Sequence, residues 1–427
     1  MNAINQSGTV AHAAPSGRAI RSTIVAAALG NGLEFFDFTV YSFFAALIGK
    51  LFFPADSELG SLMLSLAMFG VGFIVRPLGS IVIGAYADRA GRKPALVLTV
   101  SMMALGTGMI GFAPTYASIG LAAPVLIVCG RLLQGFSAGG EVGAATTLLM
   151  ESASKGRRGS LVSWQMASQG GALLAGAAVA VTLSKSLSQE ALMSWGWRVP
   201  FIIGLLIGPI GFYLRRNLDD TLPAAREASG PKQAVRLPIR QIVAGTMLVI
   251  GGTSSMYTIA FFLPSFLTLT LGMPSAVASL AGCMAGVVLL FGSPLAGRLA
   301  DRVPHRKTLL YGLSAVSLLL LLPAFHLIHT WPSIGTVLAV VFVLIGLMTL
   351  QSPAGFVMIL EALRPEVRAT SLGIIYAFGV TVFGGFAQLI VSYLWRISGS
   401  FYAPAWYVLG CGLVSLAGLA LFREAQP

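Results

Sequence analysis

Charge is what this sequence has least of. Acidic and basic side chains together make up 10% of its 427 residues, where soluble domains carry about 25%. A water-soluble fold needs far more polar surface than that, so a soluble enzyme or binding domain is excluded. Cysteine is down to three residues, too few for a disulfide scaffold. All three (Cys129, Cys283 and Cys411) fall in apolar stretches, where they say nothing about redox compartment. Histidine numbers four, with no HExxH and none placed near an in-span carboxylate, so neither a metal centre nor a hydrolytic site is expected. A nucleotide-driven pump would need G-x4-G-K-[ST]; Gly49-Lys50 is followed by Leu51, and the motif does not occur. No cofactor is implied. Glycine is abundant but has no triplet period, which excludes collagen.

What fills the space is apolar: 56% of residues are hydrophobic, and the mean hydropathy is +0.84. The apolar stretches are unbroken for about 20 residues, the length of a membrane-spanning helix. A transmembrane barrel would alternate over about 10 residues instead. Twelve spans are expected, at 23–47, 59–86, 94–113, 119–149, 159–183, 196–214, 241–265, 275–299, 308–329, 333–359, 370–393 and 402–422. An even number puts both ends on one side. Of the 27 Lys and Arg residues, 21 fall on the side that holds the ends and the central loop. Four (Lys50, Lys185, Arg198 and Arg396) fall on the other side, and Arg76 and Arg131 lie inside spans. The positive-inside rule then makes both ends cytoplasmic. The net charge of +12 is thus a topology signal, and nucleic acid is not an expected partner; the bilayer is. Residues 1–20 are polar and Ala-rich. No apolar region precedes the Ala11-His12-Ala13 triplet, so a cleavable signal peptide is not expected.

The chain repeats at half its length. GAYADRAGRK at 84–93 returns as GRLADRVPHRK at 297–307, which sets Asp88 against Asp301. Glu151 and Arg158 are spaced as Glu361 and Arg368 are. The expected organisation is a tail (1–22), a six-helix half (23–214), a Pro- and charge-rich cytoplasmic linker (215–240), a second six-helix half (241–422) and a short tail (423–427).

These loop motifs resemble the cytoplasmic signature of the major facilitator superfamily, whose repeats place a site between two six-helix halves. GNGLEFFDFTVYSFFA in span 1, RPLGSIVIG in span 2, GRLLQGFSAGGEVG in span 4 and WGWRVPF at span 6 resemble the metabolite–proton symporter family. That family carries citrate, other di- and tricarboxylates, 2-oxoglutarate, shikimate and betaine or proline. SWQMASQ in span 5 together with Arg131 is similar to the citrate and tricarballylate members. The resemblance implies an all-α membrane fold, a monomer and residence in the cytoplasmic (inner) membrane. The second loop copy departs from the pattern, with Pro304-His305 where the first has Gly91-Arg92.

Ionisable groups inside a bilayer cost about 2.5–3.5 kcal/mol each on insertion scales, so each is a functional candidate. The first half holds Glu34, Asp37, Arg76, Arg131 and Glu141; the second holds none well inside a span, with His326 and His329 at an outer edge. Arg131, Gln134, Ala138 and Glu141 share one face of span 4. A guanidinium cannot lose its proton and gives a carboxylate two parallel hydrogen bonds, so Arg131 suits an organic acid; a structural ion pair is the alternative. In span 1, Asn31, Glu34, Asp37 and Tyr41 form a second stripe. Two desolvated carboxylates one turn apart cannot both be ionised comfortably. Asp37, the deeper one, is the expected proton site, with Glu34 and Glu141 as further candidates; the alternatives are that one of the two span 1 carboxylates neutralises Arg76 or Arg131 permanently and that Glu141 is a structural pair. Gln165 and Gln169 share a face of span 5 and suit a hydroxylated polycarboxylate, unless they serve interhelical packing.

The resemblance implies gating for Asp88, paired across the halves with basic or helix-terminal groups, with Arg89 and Arg92 beside it and Asp301 as its repeat. Glu151 with Arg158, and Glu361 with Arg368, are the expected supporting pairs. The second half offers uncharged groups: Thr253, Ser254, Ser255, Tyr257, Gln351, Ser352, Tyr376 and Gln388. Pro264 and Pro353 are expected helix breaks.

A trianion entering a cell at 100 mV, negative inside, is opposed by about 7 kcal/mol, unless protons enter with it. The function expected is therefore secondary active import of citrate or a similar tricarboxylate by proton symport. The alternatives are a dicarboxylate or 2-oxoglutarate, or betaine or proline, for which Phe35, Phe36 and Phe38 could form an aromatic cage. A drug–proton antiporter fits less well, because an in-span arginine favours anions.

Overall fold

The structure is a computed structural model in which residues 17–55, 58–216 and 237–424 are described. Most of the 215–240 linker and the outer parts of both tails lie outside the described residues. Among the described residues all regular structure is helical. Eleven helices are long and apolar enough to cross a membrane, and Val199–Arg216 completes the expected twelve. Observed helices start or end within a few residues of the expected spans; where they overrun, as at Arg158–Ser186 and Ser275–Arg302, they carry charged residues out of the apolar zone. Large apolar side chains such as Leu105, Phe291 and Leu319 point outward, the inverse of a soluble fold.

Four spans are irregular, and the irregularities have causes. Span 1 stops at Phe43 rather than 47, and a separate short helix, Ala45–Phe52, follows it. Span 2 divides into Glu58–Ile74 and Arg76–Ala90, with Pro77 in the first turn of the second piece; proline has no N–H to donate to the turn before it. Arg76 therefore sits at the break. Span 7 runs as Ile239–Ser255, a π-helical stretch Met256–Phe262, and Leu263–Leu271, with Pro264 just after the stretch. Span 11 carries a second π-helical stretch, Thr381–Gly385. Pro353 corrects an expectation: it lies within the unbroken helix Ile334–Glu361.

Glycines set how closely the helices approach. A Cβ on Gly135 would lie 1.6 Å from the Gly72 carbonyl oxygen, and one on Gly139 would lie 2.2 Å from that of Arg76. Spans 2 and 4 thus touch backbone to backbone, the small-residue packing that membrane helices favour. The halves meet mainly through span 5 against span 8 and span 11 against spans 2 and 4.

Candidate functional site

The span 1 stripe does not face one partner; it fans out. Asn31 reaches span 5, donating to the Gln165 carbonyl (2.9 Å) and the Ser168 hydroxyl (2.6 Å), while the Gln165 amide donates to Asn31 Oδ1 (2.7 Å). Glu34 reaches span 2 and pairs with Arg76 Nη2 at 2.6 Å. Asp37 faces spans 3 and 4. Tyr41 donates to the Ser65 carbonyl on span 2 at 3.2 Å and lies under the Arg131 guanidinium, 3.8 Å from its ring centroid. All four side chains are buried, as are both arginines.

Asp37 is the centre of a closed cluster. Its Oδ2 accepts from the Thr107 hydroxyl at 2.6 Å and from the Gln134 amide. Gln134 Oε1 in turn accepts from Arg131 Nη1 at 3.0 Å. No direct ion pair joins Asp37 to Arg131; Gln134 bridges them. One helical turn accounts for this, because Arg131 and Gln134 are three residues apart on span 4. Thr107 went unnoticed in the sequence, and no signal marks it: a threonine in an apolar helix ordinarily bonds back to its own chain, as Thr107 also does to Met103. Glu141 is buried further along span 4, toward the end that carries the basic loops.

Arg76 belongs to a second cluster. Its guanidinium lies over Phe73 (4.1 Å) and Phe38 (4.8 Å), and Phe38 also carries Arg131 on its face at 6.0 Å. The aromatic set expected for a quaternary ammonium is therefore partly filled by the protein's own cations. Phe38 is spent on arginine, and among the three phenylalanines only Phe35 reaches a cavity to which both halves contribute.

That cavity, about 150 Å³, lies almost wholly in the second half. Its walls include Thr253, Ser255, Tyr257, Ser314, Ser317, Gln351, Ser352 and Tyr376, with Phe35, Met166 and Gln169 closing it from the first half. Arg131 and Gln134, the expected substrate ligands, do not line it, and neither do Asn31, Gln165 and Tyr41; of the expected set only Gln169 does. Ser314 and Ser317, which were not anticipated, are tied together by Gln351: the Ser314 hydroxyl donates to Gln351 Oε1 (2.7 Å), and the Gln351 amide donates to the Ser317 hydroxyl (3.1 Å).

At the end with the basic loops the two repeat aspartates act alike. Asp88 accepts from the Thr370 N–H at 3.1 Å and from its hydroxyl, at the start of span 11. Asp301 accepts from the N–H groups of Gly159 (2.6 Å) and Ser160 (2.9 Å) and from the Ser160 hydroxyl (2.6 Å), at the start of span 5. Each carboxylate caps a helix of the opposite half, where free N–H groups and the helix dipole favour an anion. The Pro304-His305 departure leaves this contact in place. The expected Glu–Arg pairs are corrected: they cross between halves. Arg158 binds Glu361 at 2.9 Å, and Glu361 also holds Arg306; Glu151 meets Arg368 at 3.5 Å. Docking of the halves brings each arginine nearer to the other repeat's glutamate. Arg89 is exposed, and the Arg92 side chain lies outside the described residues. At the opposite end the Gln388 amide donates to Ser42 at 3.1 Å, again across the halves.

A family model for sugar (and other) transporters matches residues 23–224, and one for the Major Facilitator Superfamily matches 243–427. The chain is 36% identical over 420 residues to a citrate-proton symporter of Klebsiella pneumoniae, covering 96% of this chain and 94% of that one. A putative proline/betaine transporter of Staphylococcus haemolyticus (strain JCSC1435) is 32% identical, with 95% and 88% covered. The alpha-ketoglutarate permease of Escherichia coli (strain K12) is also 32% identical, with 94% of each covered. A proton:xylose symporter structure superposes with a TM-score of 0.77 over 96% of this chain and 97% of that one, at 18% identity, which speaks for the fold alone. The chain is a multi-pass membrane transporter, not an enzyme, and belongs to the metabolite–proton symporters of the major facilitator superfamily.

Proposed function

We propose that the protein imports an organic acid, citrate or a similar tricarboxylate, together with protons, by alternating access between its two six-helix halves. It works as a monomer in the cytoplasmic membrane with both ends and the 215–240 linker in the cytoplasm, an orientation supported by the 21-to-4 division of basic residues. The observation that carries the reading is the buried Asp37–Gln134–Arg131 chain. With Asp37 ionised, Arg131 is compensated through Gln134. When Asp37 takes a proton, Arg131 is left as an uncompensated cation in a low-dielectric site, and an entering anion restores the balance. Proton and anion binding thus favour each other. Arg131 and Gln134 serve here in proton coupling rather than as direct substrate ligands, and Glu34 serves as the fixed partner of Arg76. Asp88, Asp301 and the crossed Glu–Arg pairs hold the cytoplasmic side shut and release when the halves rock.

A dicarboxylate such as 2-oxoglutarate is the second reading, favoured by the similarity to the alpha-ketoglutarate permease. The test is uptake of labelled citrate into proteoliposomes under an imposed inward proton gradient, with and without an uncoupler, against unlabelled 2-oxoglutarate and betaine. Uncoupler-sensitive uptake blocked by tricarboxylates is the expected result. Uptake of betaine but of neither acid would sink the substrate assignment and leave the fold untouched.

A further inference from the structure

Arg76 takes no part in the Asp37 cluster, yet it is fully buried at the break in span 2. Glu34 accepts from one of its nitrogens, Nη2; Nε and Nη1 have no hydrogen-bond partner. Leaving a buried charged donor unsatisfied is costly, and a site that tolerates it is prepared for something that arrives. Arg131 also has unpartnered nitrogens, Nε and Nη2, but none of its neighbours Tyr41, Gln134 and Phe38 reaches the cavity. Arg76 does not line the cavity either, nor do Glu34, Phe38 and Phe73, which it touches, but residues directly behind them do. Tyr257 packs edge-on against Phe73, the ring beneath Arg76, at 5.6 Å, and both Tyr257 and Tyr376 lie close enough to Arg76 and Glu34 to interact electrostatically. Both tyrosines line the cavity, as does Gln169, which interacts with Tyr376. The Tyr257 hydroxyl and the Gln169 amide nitrogen have no partners either. Unused donors from spans 2, 5 and 7 therefore face the boundary where the cavity of the second half meets the charge of the first, and Arg76 is the cation whose charge acts on both cavity tyrosines.

We propose that Arg76 docks a carboxylate of the substrate, with the Tyr257 hydroxyl and the Gln169 amide donating to the same anion. The inference rests on the organic-acid reading and assigns that reading its binding residue. Glu34 holds the guanidinium in place and compensates it while the site is empty. The remainder of the substrate lies toward Ser314, Ser317 and Gln351, which offer hydroxyl and amide partners to further carboxylate or hydroxyl groups. Lysine cannot replace this arginine, because a point charge on a flexible stem cannot hold Glu34 and a second carboxylate at once.

The test uses the full chain in proteoliposomes and whichever of labelled citrate and 2-oxoglutarate the wild type takes up. KM and Vmax are measured for Arg76→Lys, Tyr257→Phe, Gln169→Leu and Arg131→Lys. Competition is measured between the acid and its derivative with one carboxylate converted to an amide. Arg76→Lys is expected to raise KM about tenfold or more, with uncoupler sensitivity retained. Preference for the acid over its amide should collapse in this variant. Tyr257→Phe and Gln169→Leu should each raise KM about threefold or more. A merely structural role would lower the amount of active transporter and Vmax, and leave the acid-to-amide preference as it was. Should Arg76→Lys fail to fold, the other two variants keep the Glu34 pair intact and decide the matter. Unchanged KM and preference in the folded variants, or collapse of the preference in Arg131→Lys instead, overturns the inference alone. A wild type that takes up neither acid overturns the organic-acid reading, and this inference with it.

Discussion

The two halves share a fold and divide the chemistry unequally. Every charged side chain well inside a described span belongs to the first half, where Glu34 meets Arg76 and Asp37 reaches Arg131 through Gln134. The second half contributes hydroxyls, amides, two π-helical stretches and nearly all of the cavity wall. π-Bulges are frequent at functional sites, and here they lie in the two spans that supply Tyr257 and Tyr376. The difference teaches how a rocking transporter can bury charge. The fully buried ion pair, Glu34 with Arg76, is satisfied within one half, so rocking need not pull buried charges apart; the contacts that must break are the Asp88 and Asp301 helix caps, neutral hydrogen bonds and partly exposed Glu–Arg pairs at the rims. A buried pair broken at every cycle would cost about 3–5 kcal/mol, whereas exposed pairs contribute about 0.2–1 kcal/mol.

The sharpest way to break the comparison is steric. Gly135→Leu places side-chain atoms inside the Gly72 backbone, and no neighbour there can yield. No folded protein is expected on size-exclusion chromatography, since even accommodated overpacking costs about 1–3 kcal/mol. Gly346→Ala in the second half, with nothing within 4 Å of the added carbon, should leave the elution profile unchanged.

Arg131→Lys comes next. Lysine cannot keep both the Gln134 contact and the stack on Tyr41, and transport at fixed proton gradient should fall about 10- to 100-fold, the equivalent of about 1–3 kcal/mol for unsatisfied buried polar groups. Initial rates in proteoliposomes read this directly. At the rim, Arg158→Glu should slow transport by no more than about fivefold, and Glu361→Arg should restore part of it, whereas Glu151→Arg should not. Rescue by Glu151→Arg instead would mean that the pairs close within each half. The smallest effect is expected for Gln351→Ala, a rise in KM of about threefold with unchanged dependence on the proton gradient, as befits a neutral hydrogen bond in a membrane.

Much of this architecture was legible in the chain because periodicity and charge placement are local. Twelve spans, the half-length repeat and the shared face of Arg131 and Gln134 could all be read one helix at a time. What could not be read depends on docking between helices. Glu-x6-Arg occurs in both repeats with the same spacing, so nothing in it says that Arg158 turns to Glu361 rather than to Glu151. Asn31, Glu34, Asp37 and Tyr41 share a stripe, but successive residues of that stripe meet spans 5, 2, 3 and 4 because span 1 is surrounded. Pro353 stays inside an intact helix, since a neighbouring span can absorb the loss of one backbone bond. Gln165 and Asn31 satisfy each other, which a list of polar residues cannot foresee.

The central claim is that Asp37 carries the proton that couples transport, and Asp37→Asn tests it most directly. Asparagine keeps the shape of the cluster and the contacts with Thr107 and Gln134, but it cannot exchange a proton. Two quantities are measured on the same proteoliposomes: accumulation of labelled citrate under an inward proton gradient, and exchange of labelled for unlabelled citrate with no gradient. The account predicts that accumulation is lost while exchange persists. Accumulation that survives, still abolished by an uncoupler, would contradict it and place the coupling proton elsewhere.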